Sequence, residues 1–386
     1  MAIYRRTEGT RKMIPYIRHN IDNDDVDAVT EILKSDWLTG GPAVEKFEHD
    51  LSDLCGCDDV VVVNSGTAAL HCAYYACAIK PGDDIVTSPL TFVATVAAAV
   101  HLGAIPRFVD VDNTYLTIDT NQLADVVGSQ TKVITAVDYA GHPCDFDTIN
   151  AIAERNGSVV VEDAAHSLGA SLNGSPVGSL TTYTTLSFHP VKSITTGEGG
   201  ALCINSPGNA KRAQLFRNHG AQKDPSNFEL LPSGPWHQEV HEFGFNYRMP
   251  DILAALGSSQ LKRLSTFVNE RRKLAHRYNE LLGDVLEVQL PAEAPNVLSA
   301  WHLYPLRIKN GQRLALYEAL RDAGFQTQVH YLPIHLNPAF QKFDYKKGMF
   351  PVAERAYEEL ISLPLFPGLT QSNQDQIVEI VSKIAV

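Results

Sequence analysis

VVVVNSGTAALHCAYYACAI, residues Val60–Ile79, passes from four consecutive valines into small and apolar residues with only Asn64 and Ser65 between. Four β-branched residues without polar alternation describe a strand buried on both faces. The segment from Ser65 to Ile79 then reads as a helix, with Ser65-Gly66-Thr67 at its start. A two-sided strand followed by a helix is half of a β-α-β unit, so the neighbours of this stretch decide the fold.

The neighbours repeat the pattern. DIVTS (84–88) predicts a strand and FVATVAAAVHLG (92–103) a helix. IPRFVDVD (105–112), KVITAVDYAG (132–141) and SVVVEDAA (158–165) are further strands, with the helix DFDTINAIAERNG (145–157) before the last. TTLSFH (184–189) and GALCIN (200–205) complete seven strands. Strands alternating with helices, several of them continuous apolar runs, predict an α/β domain with a mainly parallel sheet covered on both faces.

Upstream, Asn23 or Asp24 is expected to cap a helix presenting Val26, Val29, Ile32 and Leu33 on one face. DWLTGGP (36–42) punctuates it, and a second helix is expected over 43–54. After Pro250 the texture changes. One long helix over about 251–282 is expected, then strand AWHLYPLRI (300–308), helix RLALYEALRDAG (313–324), strand QTQVHYLPI (326–334) and two closing helices. This divides the chain into a large domain, 14–255, and a small α+β domain, 256–386, with the N-terminal helices free to pack on the small one. The cations of NERRKLAHR (269–277) are expected on a solvated helix face. Residues 221–244 form a long irregular segment, a length at which loops commonly serve function or move.

Composition narrows the function. The 386 residues are 44% hydrophobic and 20% charged, with net charge −12. An acidic chain without a basic run argues against nucleic acid and against anionic membrane surfaces as partners. VATVAAAVHLGAI (93–105) is too short for a membrane span and contains His101, and Met1–Lys12 has no apolar core of a secretory signal. Six scattered cysteines fit a reduced, cytoplasmic protein. The CxC of Cys55 and Cys57 is a weak metal signal, and no third ligand is evident beside His71, His101, His330 or His335, so no metal is expected.

In α/β sheets ligands gather at the C-terminal strand ends. Ser65-Gly66-Thr67 there is either a plain helix cap or a seat for phosphate on backbone N–H groups. Glu162 and Asp163 end another strand, with His166 beyond; each carboxylate is either a cap or a paired, buried acid. Phe92, after Ser88–Thr91, is either core or a flat wall of a site. LSFHPVKSITTGEGGA (186–201) places Ser187 and Lys192 between a strand end and a glycine cluster. A phosphate seat, a carboxylate, an aromatic and a lysine on successive strand ends suit pyridoxal phosphate.

NSGTAAL, TFVAT, VEDAAHSLGA, SFHPVKSITTGEGGA and FNYRMPDILAALG together resemble the DegT/StrS family of nucleotide-sugar aminotransferases. The resemblance implies the fold type I architecture of pyridoxal-phosphate-dependent transferases: a large mixed, mainly parallel seven-stranded sheet domain plus a small C-terminal α+β domain. It implies that Lys192 is the Schiff-base lysine and proton carrier, and Asp163 the partner of the pyridinium nitrogen. His166 would lie near the phenolic oxygen, Phe92 would stack on the ring, and Gly66, Thr67 and Ser187 would hold the phosphate. Asn246 would reach that phosphate from the neighbouring subunit of a homodimer. The donor implied is L-glutamate, leaving as 2-oxoglutarate, and the acceptor a nucleotide-linked keto sugar. Arg248 is the expected substrate-anion contact, with Thr39 and Tyr331 as sugar neighbours. IPY, SDWLTGGP and VHYLPIHLNP look most like the members that aminate C4 of UDP-4-keto-6-deoxy-hexosamines in pseudaminic acid biosynthesis. Related C4 or C3 transaminases of dTDP- or GDP-linked sugars share much of this wording. Members that replace the lysine with His are 3-dehydrases, which the presence of Lys192 disfavours. A desulfurase would want a reactive cysteine on a loop, and Cys203 reads as a strand residue. A catalytically silent regulator would not need both Lys192 and Asp163.

Overall fold

The computed structural model of the chain describes residues 13–206, 208–309 and 311–385. The polar segment 1–12 lies outside the described residues.

Seven strands form the large sheet: β1 (Asp59–Val63), β2 (Asp84–Thr87), β3 (Ile105–Phe108), β4 (Thr131–Val137), β5 (Val159–Asp163), β6 (Tyr183–Ser187) and β7 (Gly200–Ile204). Their spatial order is β1-β7-β6-β5-β4-β2-β3. Pairs among β6, β5, β4, β2 and β3 are parallel, with Thr87 beside Thr135, Val137 beside Asp163 and Asp163 beside Thr185. β7 is antiparallel to both β6 and β1. The two reversals return β1 to the common direction, so β1, β2, β4, β5 and β6 all end on one edge, and β7 begins there.

Helices α1 (Asn23–Leu33) and α2 (Pro42–Cys55) precede the sheet. The helices α3 (Gly66–Ala76), α4 (Ala94–His101), α5 (Thr120–Val126), α6 (Phe146–Asn156) and α7 (Ala210–Arg217) flank it. Two apolar clusters cover its faces. One joins Val61, Val63 and Leu202 to α3 residues such as Leu70 and Tyr74; the other joins Val60, Val62 and Cys203 to Phe47 and Leu51 of α2. Adjacent strand residues therefore serve opposite layers, which is why the valine run shows no polar alternation.

The small domain differs from expectation in three places. The long helix is two, α8 (Asp251–Leu261) and α9 (Leu264–Leu282), broken at Lys262 and Arg263. Leu264, Phe267 and Val268 pack on the large sheet's core, whereas Ala275, Tyr278 and Leu282 enter the small-domain core, so α9 belongs to both. The second reversal is QTQVHYLPI, which forms no ladder beyond one bridge of Gln328 to Ser362. Its partner is a strand that lay hidden among the closing helices α10 (Arg313–Asp322), α11 (Pro351–Glu359) and α12 (Gln371–Ile384). That strand, β10 (Leu360–Leu363), pairs antiparallel with β9 (Tyr304–Ile308), which also pairs with β8 (Val288–Gln289). Four residues, three of them apolar, between two amphipathic helices carry too short a signal to announce a strand.

The cationic face on α9 is the third difference. Arg271 is 1% exposed and donates to the carbonyls of Leu365 and His302 at 2.8 and 3.3 Å. Arg272 donates to the carbonyls of Ser299, Gly169 and Leu298. These guanidiniums fasten loops across the domain junction, because a five-donor group can satisfy several carbonyls at once.

Upstream, Asp22 caps α1 in place of Asn23 or Asp24, exchanging hydrogen bonds with Asp25 in a capping box. Val26 and Leu33 are exposed in the single chain, and Asp25 is the buried residue of α1, held by Gln260 and Arg263. The helix docks on α8 with this polar contact at its centre, and of the four apolar residues on its one face Val29 and Ile32 are half-buried while Val26 and Leu33 stay exposed.

Candidate active site

The strand ends converge on a cavity of about 310 Å³ between the domains. Val137, Asp163, Thr185 and Ser187 come from β4, β5 and β6, and Gly66 and Thr67 from the start of α3. Phe92 comes from the β2–α4 connection, Thr95 from the first turn of α4, Lys192 from the loop before β7, and His330 and Tyr331 from the small domain.

At α3, Ser65 is the cap, its Oγ accepting from Ala68 N–H at 3.1 Å. Gly66 and Thr67 sit in the first turn, where backbone N–H groups lack partners within the helix. A side chain at Gly66 would place its Cβ 2.9 Å from Cβ of Ser187, and one at Gly200 would meet the Ser65 carbonyl at 2.5 Å. Glycine at both positions lets the helix start lie directly against the ends of β6 and β7, leaving a shallow seat of backbone donors and the Ser187 hydroxyl.

Lys192 is half-buried, and burial lowers its ammonium to about 8, opposed by the carboxylate of Asp163. Asp163 is buried; burial raises its carboxyl above the ordinary range, opposed by the Thr95 hydroxyl, the Ala165 N–H and Lys192. Thr95 Oγ1 donates to Asp163 Oδ2 at 2.7 Å and Ala165 N–H to Oδ1 at 3.2 Å. The acid is thus oriented on both oxygens.

His166 is buried, and burial together with Lys192 and His330 holds it well below its ordinary value, so its ring is neutral. Its Nε2 lies 3.2 Å from the Tyr331 hydroxyl, tying the large domain to the small one. Its Nδ1 has no partner among the described residues. His302 packs on it at 4.3 Å between ring centroids. Phe92 is 56% exposed and tilts toward Tyr331 at 5.9 Å, forming a wall of the cavity mouth.

Thus Lys192, Asp163, His166, Phe92, Gly66, Thr67, Ser187 and Tyr331 line one cavity. Thr39, Asn246 and Arg248 do not line it. Thr39 is exposed in the turn before α2, bridged to Pro250. Arg248 Nη1 donates to Asn218 Oδ1 at 2.5 Å, and its backbone pairs with Val63. Asn246 is exposed, and its carbonyl accepts from Asn64 Nδ2 at 3.3 Å, next to the helix cap. Sequence reading passed over Thr95, Tyr16, His302 and His330, which also line the cavity. Thr95 had one signal, a hydroxyl in an otherwise apolar helix one turn after Phe92. Cys203 is buried within β7 with its thiol pushed well up, which removes it as a nucleophile.

These residues fit pyridoxal phosphate: an amine of lowered basicity, an oriented buried carboxylate, a backbone-donor seat without Cβ obstruction, and an unpartnered imidazole nitrogen at the same cavity. Among the described residues no three His, Cys, Asp or Glu side chains are gathered for a metal, and no helix is long and apolar enough to cross a membrane.

Fold and site define an α/β enzyme in which a lysine and a buried carboxylate line one cavity at the strand ends. The chain belongs to the DegT/DnrJ/EryC1/StrS aminotransferase family, which it matches over residues 19–382. It is 37% identical over 377 residues to the spore coat polysaccharide biosynthesis protein SpsC of Bacillus subtilis, covering 96% of this chain and 97% of that one. Among solved structures it is similar to Spr1654 of Streptococcus pneumoniae in its PLP form, with TM-score 0.90, 28% identity and coverage of 97% and 98%. It is also similar to Helicobacter pylori PseC, an aminotransferase of pseudoaminic acid biosynthesis, with TM-score 0.89, 29% identity and coverage of 97% and 99%.

Proposed function

We propose that the chain is a cytoplasmic, homodimeric, pyridoxal-phosphate-dependent transaminase acting on a nucleotide-linked sugar. It moves an amino group from L-glutamate to the C4 ketone of a UDP-linked 4-keto-6-deoxy N-acetylhexosamine. The observation that carries the reading is Lys192 and Asp163 facing one cavity, the amine lowered to about 8 and the carboxylate oriented by Thr95. Pyridoxal phosphate, when bound, supplies an electron sink that acidifies the donor's Cα proton. Lys192 moves that proton, a task for which its lowered basicity suits it near neutral pH. Asp163 would hold a proton on the ring nitrogen, and the start of α3 with Ser187 would receive the phosphate. Phe92 would cover the ring, and the neutral His166 would offer Nδ1 to an oxygen substituent. The similarity to PseC and the quoted IPY, SDWLTGGP and VHYLPIHLNP segments support the UDP-linked acceptor.

The test is a panel of UDP-, dTDP- and GDP-linked 4-keto-6-deoxy sugars with L-glutamate, read by the mass of the aminated product. Amination of the UDP sugar at C4 is expected. Product from only a dTDP or GDP sugar would replace the nucleotide assignment, and product from none would defeat the sugar reading.

A further inference from the structure

Glu162 and Asp163 are consecutive on β5, so their side chains leave opposite faces of the strand. Asp163 faces the cavity. Glu162 lies behind the strand beside Asp138, the residue following β4, and both are 0% exposed. The two carboxyl groups are hydrogen-bonding neighbours. Asp138 is further tied to the site strand, its N–H donating to the Asp163 carbonyl at 3.1 Å.

Among the described residues, the groups found acting on the pair include no cation. Asp138 Oδ1 accepts from Cys144 N–H at 3.0 Å and Oδ2 from the Ser167 hydroxyl at 2.6 Å. Glu162 Oε2 accepts from the Thr184 hydroxyl at 2.6 Å. The Gly178 N–H also leans on the Glu162 carboxylate, while its buried Oε1 has no hydrogen-bond partner of good geometry among the described residues. Two ionised carboxylates in contact in a dry interior repel strongly, and like-charged acids in that position keep a proton between them. A single carboxylic O–H between Asp138 and Glu162 removes the repulsion and supplies the donor that Oε1 lacks.

We infer that Asp138 and Glu162 share one proton and form a fixed single negative charge behind Asp163, a positioning pair for the cofactor-facing side of β5. The first half is a statement about the cofactor-free protein. The second rests on the reading of Asp163 as the partner of the cofactor's ring nitrogen. Burial raises both acids, Asp138 furthest, and each raises the other or leans on it for a hydrogen bond. The other titratable groups beside the pair are Asp163 and the Cys144 thiol, which burial keeps protonated and neutral and which donates to the Val137 carbonyl. With one net charge, the pair adds to Asp163 in favouring positive charge on Lys192 and on a bound ring.

Glu162→Gln and Asp138→Asn each replace the shared proton by an amide donor and leave one ionised carboxylate, so each keeps the charge. The double variant D138N/E162Q removes it. In cofactor-free protein near neutral pH, infrared spectroscopy is expected to show a protonated-carboxyl C=O stretch that survives Asp163→Asn and disappears in both single variants. No such band in the wild type, or a band unchanged in both single variants, overturns the shared proton and needs no variant to fold differently. In protein loaded with pyridoxal 5′-phosphate, the pH midpoint of the visible absorbance is expected to hold in the single variants. It should fall by about one pH unit in the double variant, as expected for a unit charge roughly 10 Å away at an effective dielectric of about 20. An unmoved midpoint in a folded double variant overturns the positioning role. A wild type that takes up no cofactor defeats the functional reading and leaves the pair judged by the infrared result.

Discussion

Lys192 carries a pH signature that can be read without turnover. Its folded-state value of about 8 lies below the ordinary 10.5, so the unfolded chain binds this proton more tightly. Stability of the cofactor-free protein should therefore rise as pH climbs from about 8 to 10.5, and this contribution is absent below 8. Melting temperature against pH for wild type and Lys192→Met checks it: the rise should be smaller in the variant. Thr95 makes a second prediction at this scale. Its hydroxyl donates to the buried Asp163 at 2.7 Å, so Thr95→Val removes a hydrogen bond to a charged group, worth about 1.5–3 kcal/mol. That loss should appear as weaker retention of pyridoxal phosphate, roughly tenfold or more by equilibrium dialysis, with the secondary structure intact. A Thr95→Ser variant, which keeps the donor, should retain most of the affinity. Lys192 and Asp163 could be picked out as candidates because they stand on successive strand ends with a phosphate-seat pattern and an aromatic, inside motifs that resemble the family's. Thr95 was not, because its role exists only once α4 packs beside β5.

Among the elements, the segment 221–244 shows how an irregular stretch acquires order. Glu239 accepts from Glu229 N–H at 2.8 Å and Leu230 N–H at 2.9 Å, and contacts His237 and His241 at 3.1 and 2.5 Å. One carboxylate thus gathers four groups of the loop. Burial pushes this carboxyl up, but the Glu229 N–H, the two imidazoles and the Leu230 N–H outweigh it and hold it down at about 2. A depressed carboxyl contributes order above its ordinary value of 4.5 and loses it as pH falls toward about 2. Hydrogen exchange at Glu229 and Leu230 should accordingly lose protection across that window, and Glu239→Gln should lose it already at neutral pH. The sequence announced a long irregular segment here but not its staple, since charges, histidines and backbone donors meet only through the folded path. The same distinction separates the large sheet from the small domain. Strands covered on both faces declare themselves as valine and isoleucine runs, whereas β10 is four residues between helices and Arg271 looked like any cation on an amphipathic helix.

At the scale of the whole molecule, the single chain leaves large apolar side chains exposed on one segment. Leu231 and Phe243 are each 92% exposed, Trp236 77% and Leu230 67%, all on the segment that leads to Asn246. Phe245 and Tyr247 stack beside it, and the Asn246 carbonyl reaches the residue before the α3 cap. Single exposed apolar residues are ordinary, but a contiguous group on one connection marks an interaction surface. Among the described residues that line the cavity, Lys192 is the one Lys or Arg, so the proposed phosphate seat has no other cation from its own chain. A dianion held only by backbone donors and a hydroxyl gains from further donors across an interface. The proposed homodimer with shared sites makes a sharp prediction of complementation. Lys192→Ala and Asn246→Ala homodimers should each be impaired, the first without detectable turnover. Co-refolded, the two chains give mixed dimers in which one site pairs an intact Lys192 with an intact Asn246 from the other copy. Random pairing makes half the dimers mixed, with one good site in each, so activity should recover to about one quarter of wild type. Recovery no greater than the sum of the separate variants would place Asn246 outside its neighbour's site. A sedimentation profile of monomers at working concentration would remove the interface itself.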